Sequence, residues 1–286
     1  MIGSAPGIKE RTRSRAIIIP HPRRPLVNVR ELWSYREVLH ALVRREIKIR
    51  YAQTAAGAAW VILQPLLTTA VLTVLAGRWM KVPAQGVPYP LFAFAGLIPW
   101  TYFTHVLTKS GGSLISTGLL SKAYFPRLLL PLASAAGGLI DVLVAGAILA
   151  VLMIYYGAAP GWGLLLAPAC MALVMLAAFG FGVWIAVTNL YFRDVMYALP
   201  FAMQIGFLIT PAAYPISVVP ERWRMLYSLN PLLAPIECWR WSILGITPHL
   251  SPYEWIASFS VGAAVLISGL WYFRRKEPVM ADVGES

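Results

Sequence analysis

The chain has 286 residues, of which 58% are hydrophobic and 13% are charged, about half the charged fraction of soluble domains. Twenty-four Lys and Arg against twelve Asp and Glu give a net charge of +12. This composition excludes disordered, fibrous and disulfide-framework proteins and indicates a polytopic membrane protein, whose basic residues mark the cytoplasmic side and not a nucleic-acid site. The two cysteines, Cys170 and Cys238, lie far apart in the sequence, so we expect ordinary side chains in an apolar environment.

Long stretches without Asp, Glu, Lys or Arg predict the membrane-spanning helices, because a span needs about 20 mostly apolar residues. The stretch 142–192 is long enough for two spans and is divided by a turn-forming, aromatic cluster at 155–163. We therefore predict an all-α membrane protein with six transmembrane helices, at about residues 57–77, 88–108, 128–155, 164–188, 197–214 and 252–273.

The distribution of Lys and Arg predicts the orientation of these spans. With the N-terminus inside, few basic residues fall on the outer side: Arg78, Lys81, Arg222, Arg224 and Arg240. By the positive-inside rule both termini are then cytoplasmic. The predicted organisation is a flexible cytoplasmic tail over 1–29, a transmembrane domain over 30–275 and a second cytoplasmic tail over 276–286.

Residues 30–50 predict an amphipathic helix in the cytoplasmic membrane interface. Apolar side chains recur there at helical spacing, and Arg and Lys supply the remaining positions. Such a helix would place its apolar side in lipid and its basic side near anionic headgroups. It is either a simple orientation anchor or a docking surface for a partner.

Two further segments do not fit a span. The cytoplasmic loop 109–127 carries Leu, Tyr and Phe beside charges in its second half, 119–127, which favours either a partner or the headgroup layer as a cover. Region 215–250 is cut by Pro215, Pro220, Pro231 and Pro235 into pieces too short to span. These pieces are either short re-entrant helices on the outer side or an ordinary surface loop.

Residues for enzyme chemistry are sparse. The chain has no Gly-Lys pair, so the phosphate loop of an ATPase is absent from the sequence. Histidines are scattered without metal-ligand spacing, and the acidic residues outside the tails are far apart. Asp141 falls near the middle of the third predicted span, where it is either a helix-packing group or part of a proton path.

The run from Arg44 to Leu66 resembles the signature of type-two ABC transporter permeases that export polysaccharides. That family typically has Arg-Asp-Ile-Lys-x-Arg-Tyr, then Thr-x-Leu-Gly-x-x-Trp and Leu-x-Pro-Leu; here Glu46 replaces the Asp and Ala56 replaces the Leu. Further matches are Pro88–Phe92, Gly96–Trp100, Tyr124–Arg127, Tyr191–Val195, Tyr214-Pro215 and Leu229–Pro231. The resemblance covers about residues 30–275 and is closest to the O-antigen export branch.

This resemblance implies a transport subunit without a catalytic site of its own in the bacterial inner membrane. It implies a homodimer, two separate nucleotide-binding ATPase subunits that bind ATP and Mg, and a polysaccharide linked to undecaprenyl diphosphate. Neither a cofactor nor a metal is expected in this chain. Relatives that export teichoic acid or capsule remain alternatives. So do a permease for a small molecule or lipid and, in another class, a glycan-processing membrane enzyme.

The resemblance also implies roles for particular residues. Segments 119–127 and 30–50 resemble the coupling and interface helices that meet the ATPase, and the candidates are Leu120, Ser121, Lys122, Tyr124, Phe125, Arg127, Arg44, Arg45 and Glu46. Aromatic rings can stack on sugar faces, and the candidate channel residues are Trp60, Tyr89, Trp100, Tyr102, Phe103, Phe201, Phe207 and Tyr214. Segment 215–247 resembles a pair of outer gate helices, held at headgroup depth by Trp223, Tyr227 and Trp239.

Overall fold

The computed structural model of the protein describes residues 26–52, 57–115 and 125–277, without the side chains of 50–52, 57–59 and 61. All regular secondary structure in these ranges is helical, as the all-α prediction requires. The α-helices are α1 (Val29–Ser34), α2 (Arg36–Ala52), α3 (Gly57–Leu72), α4 (Tyr89–Ser113), α5 (Leu129–Tyr156), α6 (Ala167–Tyr191), α7 (Asp194–Ile209), α8 (Glu221–Tyr227), α9 (Leu233–Leu244) and α10 (Pro252–Lys276). Most of the two predicted tails, 1–29 and 276–286, lies outside the described residues.

Five helical stretches of the described chain are long and apolar enough to cross a membrane. They agree with five of the six predicted spans to within a few residues: Ile62–Trp79, Tyr89–Ser113, Leu129–Tyr156, Trp162–Tyr191 and Pro252–Lys276. The first continues α3 through a π-helical segment, Thr73–Trp79, and the fourth adds a 3₁₀ turn, Trp162–Leu166, before α6. The membrane class and its helical architecture are confirmed.

The fifth predicted span, 197–214, differs from the structure. Helix α7 has 16 residues and is therefore about 24 Å long, short of the 20 residues that a straight span requires. It ends because Thr210 precedes Pro211, and the proline ring disfavours helical geometry in the residue before it; Thr210 accordingly has φ −86° and ψ 131°. The apolar composition after Thr210 predicted more helix than this proline allows.

The chain nevertheless crosses the bundle between α7 and α10. The carboxyl ends of α6 and α10 lie together, because the Lys276 ammonium sits 4.8 Å from the centre of the Tyr191 ring. Helix α7 starts at this end, whereas α10 starts at the other, with Ser251 and Glu254 forming a capping box. Residues 194–252 must therefore traverse the bundle once, through α7 and the short helices α8 and α9.

Helix α4 forms the centre of the bundle. In the most apolar stretch of α4, 78% of the residues are buried, whereas the corresponding share is 6% in the first span and 17% in α10. Around it pack α3, α5, α6, α7 and α9. Helices α6 and α10 approach closely at Gly180, where a Cβ atom would lie 2.7 Å from the Leu266 Cα. Glycine at this position lets two backbones meet, as is common between membrane helices.

The helix predicted over residues 30–50 is present as two segments, α1 and α2. Asn28 caps α1 by accepting a hydrogen bond from the Glu31 amide at 3.2 Å, and the helix is interrupted at Tyr35 before α2 begins. Helix α2 packs along α5 and buries Leu42. The Leu26 carbonyl accepts a hydrogen bond from the Arg274 guanidinium at 3.1 Å. The start of the described chain and the end of α10 therefore lie at the same end of the bundle.

Cys170 and Cys238 form a disulfide between α6 and α9, with their Cα atoms 5.7 Å apart. The sequence-based expectation of two unrelated cysteines is wrong. Their separation of 68 residues says nothing about distance in space, because α9 folds back against the first turn of α6. The bridge fixes the second short helix to a span.

Candidate functional site

A cavity of about 610 Å³ lies against α4, between α3, α5 and α7. Its walls include four of the eight predicted channel residues: Trp60, Trp100, Tyr102 and Phe207. Trp100 and Phe207 pack ring to ring with centroids 5.7 Å apart, and Trp60 is 55% exposed on the facing side of α3. The structure therefore brings these aromatic side chains to one cavity at the middle of the bundle.

The other four predicted channel residues have different surroundings. Phe103 is buried in the core against Phe181, and Phe201 is 66% exposed on α7 away from the cavity. The Tyr89 hydroxyl donates to the Ala213 carbonyl at 2.8 Å, and the Tyr214 hydroxyl donates to the Leu208 carbonyl at 2.8 Å. Both tyrosines hold the chain where it leaves α7, and neither lines the cavity.

Apart from Asp141, the polar residues of the cavity wall were missed by the sequence analysis. Helix α4 contributes Thr101, Thr104, His105, Thr108 and Lys109, helix α3 contributes Gln64 and Thr68, and α5 contributes Asp141. The three threonines of α4 recur at helical spacing, which was a visible signal, but only aromatic side chains were expected to line a channel. Asp141, predicted at the middle of its span, lines the cavity.

The predicted coupling residues are divided. Arg44 and Arg45 are exposed on α2, and Glu46 is half-buried beside α5. Phe125 is 9% exposed and belongs to the hydrophobic core, so the sequence-based picture of an exposed Phe125 is wrong; Arg127 is half-buried next to it. Four candidates, Leu120, Ser121, Lys122 and Tyr124, lie outside the described residues.

The predicted gate residues also separate into two groups. Trp223 on α8 is 49% exposed, and the Tyr227 hydroxyl lies 3.2 Å from that of Tyr214. Trp239 on α9, expected at headgroup depth, is 5% exposed and donates its indole N–H to the Ala95 carbonyl at 2.9 Å. It therefore anchors α9 to α4, whereas α8 has no buried residue.

A buried ion pair strengthens the same anchor. The Arg240 guanidinium donates from Nη1 to Glu237 Oε1 at 2.8 Å and from Nη2 to the Ala212 carbonyl, and both side chains are almost completely buried. Its Cζ lies 4.0 Å from the centre of the Phe92 ring. Any Cβ atom at Gly96 would collide with the Ala212 carbonyl and the guanidinium. Helices α4 and α9 and the end of α7 thus meet at one charged, desolvated contact.

No cluster of three or more His, Cys, Asp or Glu side chains able to hold a metal ion occurs among the residues that the structure describes. The cavity wall combines aromatic faces and hydroxyl groups with the amide of Gln64 and three ionisable side chains, His105, Lys109 and Asp141.

Comparison with known proteins identifies a matching family and several relatives of this chain. The model of the ABC-2 type transporter family matches residues 37–244. The chain is 29% identical over 255 residues to the O-antigen export system permease protein RfbA of Myxococcus xanthus, covering 87% of this chain and 96% of the relative. It is 25% identical to the protein of the same name from Klebsiella pneumoniae, over 86% of this chain and 95% of the relative. The polysialic acid transport protein KpsM of Escherichia coli is 24% identical, over 85% of this chain and 94% of the relative.

Proposed function

This chain belongs to the ABC-2 type transporter family, and we propose that it is the membrane-spanning subunit of an ATP-driven exporter that moves a lipid-linked polysaccharide across the bacterial inner membrane. The observation that carries the proposal is the cavity beside α4, which combines aromatic rings with hydroxyl groups at membrane depth. Relatives of nearly the same length that are named as O-antigen export permeases support the substrate class.

The cavity chemistry suits sugars. A sugar ring has apolar faces and a hydroxylated rim, so it can stack on the exposed Trp60 or on Phe207 while its hydroxyls meet polar groups of the cavity wall. Polar side chains at membrane depth normally face protein or water, because lipid offers no hydrogen-bond partner. Such a wall suits a hydrated, hydroxyl-rich cargo better than an acyl chain.

Energy for transport must come from other subunits. The sequence contains no phosphate loop, so two nucleotide-binding subunits would bind ATP and Mg and hydrolyse the nucleotide on the cytoplasmic side. A second copy of this chain would close the open side of the cavity, where Trp60 is exposed. The polysaccharide would enter attached to undecaprenyl diphosphate, with both termini of the protein in the cytosol.

Capsule export is a second candidate, which the similarity to the polysialic acid transport protein KpsM favours. Both candidates use the same cavity and differ in the cargo. Export of teichoic acid is a further variant of the same proposal. A permease for a small apolar molecule fits less well, because the cavity wall carries three threonines and a lysine from α4 alone.

The proposal is tested in the native host by deleting the gene and restoring it on a plasmid. We expect deletion to remove one surface polysaccharide and to accumulate its lipid-linked precursor at the inner face of the inner membrane. Structural analysis of the accumulated glycan separates O-antigen, capsule and teichoic acid. Normal surface polysaccharides, with no precursor accumulating, would contradict the proposed function.

A further inference from the structure

Three threonines of α4 form a row along the cavity wall. Thr101, Thr104 and Thr108 follow one another at spacings of three and four residues and therefore lie on one helix face. The row is about 10 Å long at 1.5 Å per residue. Thr101 and Thr108 are exposed and Thr104 is half-buried, and all three line the cavity.

The hydroxyl protons of this threonine row are already used. Thr101 Oγ1 donates to the Ile98 carbonyl at 3.0 Å, Thr104 Oγ1 to the Thr101 carbonyl at 2.9 Å and Thr108 Oγ1 to the Thr104 carbonyl at 2.8 Å. A threonine hydroxyl has one proton but two acceptor lone pairs. Each oxygen of the row can therefore accept a hydrogen bond from a ligand but has no proton left to donate.

The facing wall repeats the pattern. Thr68 of α3 lines the same cavity, and its hydroxyl donates to the Gln64 carbonyl at 2.9 Å. A ligand between the two walls therefore meets threonine hydroxyls that act as acceptors on both sides. The aromatic rings of Trp60, Trp100 and Phe207 line the same cavity, which also contains His105, Lys109 and Asp141.

We propose that the threonine row is a carbohydrate-binding strip that accepts hydrogen bonds from sugar hydroxyls while the aromatic rings cover the apolar sugar faces. The proposal rests on the proposed function and specifies its contact. Sugar hydroxyls are donors, whereas an acyl chain has no donor and an ionised phosphate only accepts. The threonine row therefore binds the polyol part of the cargo and forms no hydrogen bond with its lipid part.

The geometry also suits movement of a chain along the row. Neighbouring threonines lie about 5–6 Å apart between Cβ atoms, as side chains three or four residues apart do on a helix. A bond between two uncharged groups contributes little when it replaces one to water, so no single threonine would trap the chain. A sugar hydroxyl leaving one acceptor finds the next one a single turn away.

The test compares three sets of variants in the assembled transporter. Changing Thr101, Thr104 and Thr108 together to Val keeps the shape and removes the acceptors, whereas changing all three to Ser keeps them. Thr188→Val is the matched control, because its hydroxyl donates to the Trp184 carbonyl at 2.8 Å in the same way but lies in a different groove, between α6 and α10. Export rate is measured per assembled complex, counted by co-purification of the ATPase subunit.

We expect export by the triple Val variant to fall about tenfold or more, because each lost acceptor leaves a sugar hydroxyl without a partner in the cavity. The triple Ser and Thr188→Val variants should stay within about threefold of the unchanged protein, since both keep the acceptors of the row.

Binding is measured separately, through tryptophan fluorescence, with the repeating-unit oligosaccharide released from the host's own surface polysaccharide. The Val variant should lose this binding. Should the triple variant not assemble, the double variant Thr101→Val with Thr108→Val is compared with the matching double Ser variant.

The strip is ruled out if the Val variants export and bind the oligosaccharide as the unchanged protein does; the proposed function would then still stand. Failure of the unchanged transporter to move any polysaccharide would instead remove the proposed function itself. Equal loss in the Val and Ser variants would show that the row matters for packing and not for accepting hydrogen bonds, which also overturns the strip.

Discussion

Arg240 and Glu237 place two charged groups in the interior of the bundle, where neither is exposed to solvent. Taking charges out of water costs several kcal/mol for each ion, and the pair is tolerated only when the two groups meet with good geometry. Here the guanidinium also reaches the Ala212 carbonyl and the face of Phe92. The pair therefore serves to hold α9, α4 and the end of α7 in one arrangement.

Removing one partner of this pair should be worse than removing both. We expect Arg240→Met to lower the free energy of unfolding by about 3–5 kcal/mol, because Glu237 is left as an uncompensated buried charge. The double variant Arg240→Met with Glu237→Leu should recover a large part of this loss. Thermal melting of the detergent-purified protein measures both; a double variant less stable than the single one would contradict the assignment.

At the residue scale, the sequence showed which kinds of side chain could form the site, but not which neighbours each of them contacts. Trp239 carries the same chemical signal as Trp223, yet one is buried against Ala95 and the other is half exposed. Aromatic rings in apolar segments suit a cavity wall, the core and a membrane interface equally well, so composition could not separate Trp100 from Phe103. The threonine row was predictable from its spacing, since helical period places its members on one face.

At the element scale, the short helices α8 and α9 behave differently although both belong to one proline-cut region. Helix α9 is fixed by the disulfide to α6 and by Trp239 and Arg240 to α4. Helix α8 has no buried residue and exposes Met225 and Leu226. If this region gates the cavity, α8 is the element able to move, and α9 is its support.

The disulfide gives a prediction for this support. Replacing Cys238 with Ser should lower the free energy of unfolding by roughly 4 kcal/mol on the chain-entropy account of a bridge closing a loop of this length, while α8 keeps its accessibility. Melting of the oxidised protein, the reduced protein and the variant measures the effect. In membranes prepared without reductant, neither cysteine should react with a thiol reagent until the protein is reduced; alkylation of both beforehand would contradict the bridge.

Helix α2 gives a second prediction at this scale. If α2 docks on an ATPase subunit as the coupling hypothesis requires, reversing the exposed charges with Arg44→Glu and Arg45→Glu should lower export and substrate-stimulated ATP hydrolysis by about tenfold, because a contact formed by two cations would then present two anions. Arg36→Glu, exposed two turns earlier on the same helix, is the matched control. Full co-purification and normal hydrolysis in the reversed variant would remove α2 from the contact with the ATPase.

Spans were predictable from the sequence because an apolar run of about 20 residues without charges has the length and composition that a bilayer requires. The length of α7 was not, because the effect of Pro211 on Thr210 is local and does not alter the apolar content of the segment. The disulfide between α6 and α9 depends on how the two helices pack, which the distance between the two cysteines in the sequence does not indicate. The interruption of the interface helix at Tyr35 had no composition signal either.

At the scale of the whole molecule, Leu26 and the end of α10 lie at one end of the bundle, while the Cys170–Cys238 bridge lies at the other. Disulfides persist on the oxidising side of a bacterial inner membrane. The bridge and the positive-inside rule therefore favour the same orientation, with the basic carboxyl end of α10 in the cytosol.

Cysteine labelling tests this orientation. Arg222→Cys on exposed α8 should react with an impermeant thiol reagent from the outer side of the inner membrane, and Arg193→Cys only from the cytosolic side. Ser242→Cys, at a completely buried position of α9, serves as the control and should resist the reagent from both sides. Arg240, counted among the outer basic residues in the sequence, is buried in the bundle and not exposed at its surface. Labelling of position 222 from the cytosol alone would reverse the topology.

The contrast between an enclosed α4 and a nearly uncovered first span has a consequence for mutational tolerance. Positions along α4 contact neighbours on most sides, so even exchanges between apolar residues of different size should rarely be accepted there. The first span faces whatever surrounds the protomer, and lipid accepts any apolar side chain whereas a second copy accepts only a fitting one. One face of 62–79 is already constrained because it packs on α4 and lines the cavity. A second intolerant face would therefore map the side on which another copy packs, and tolerance everywhere outside the α4 side would mean that lipid surrounds the rest of the span.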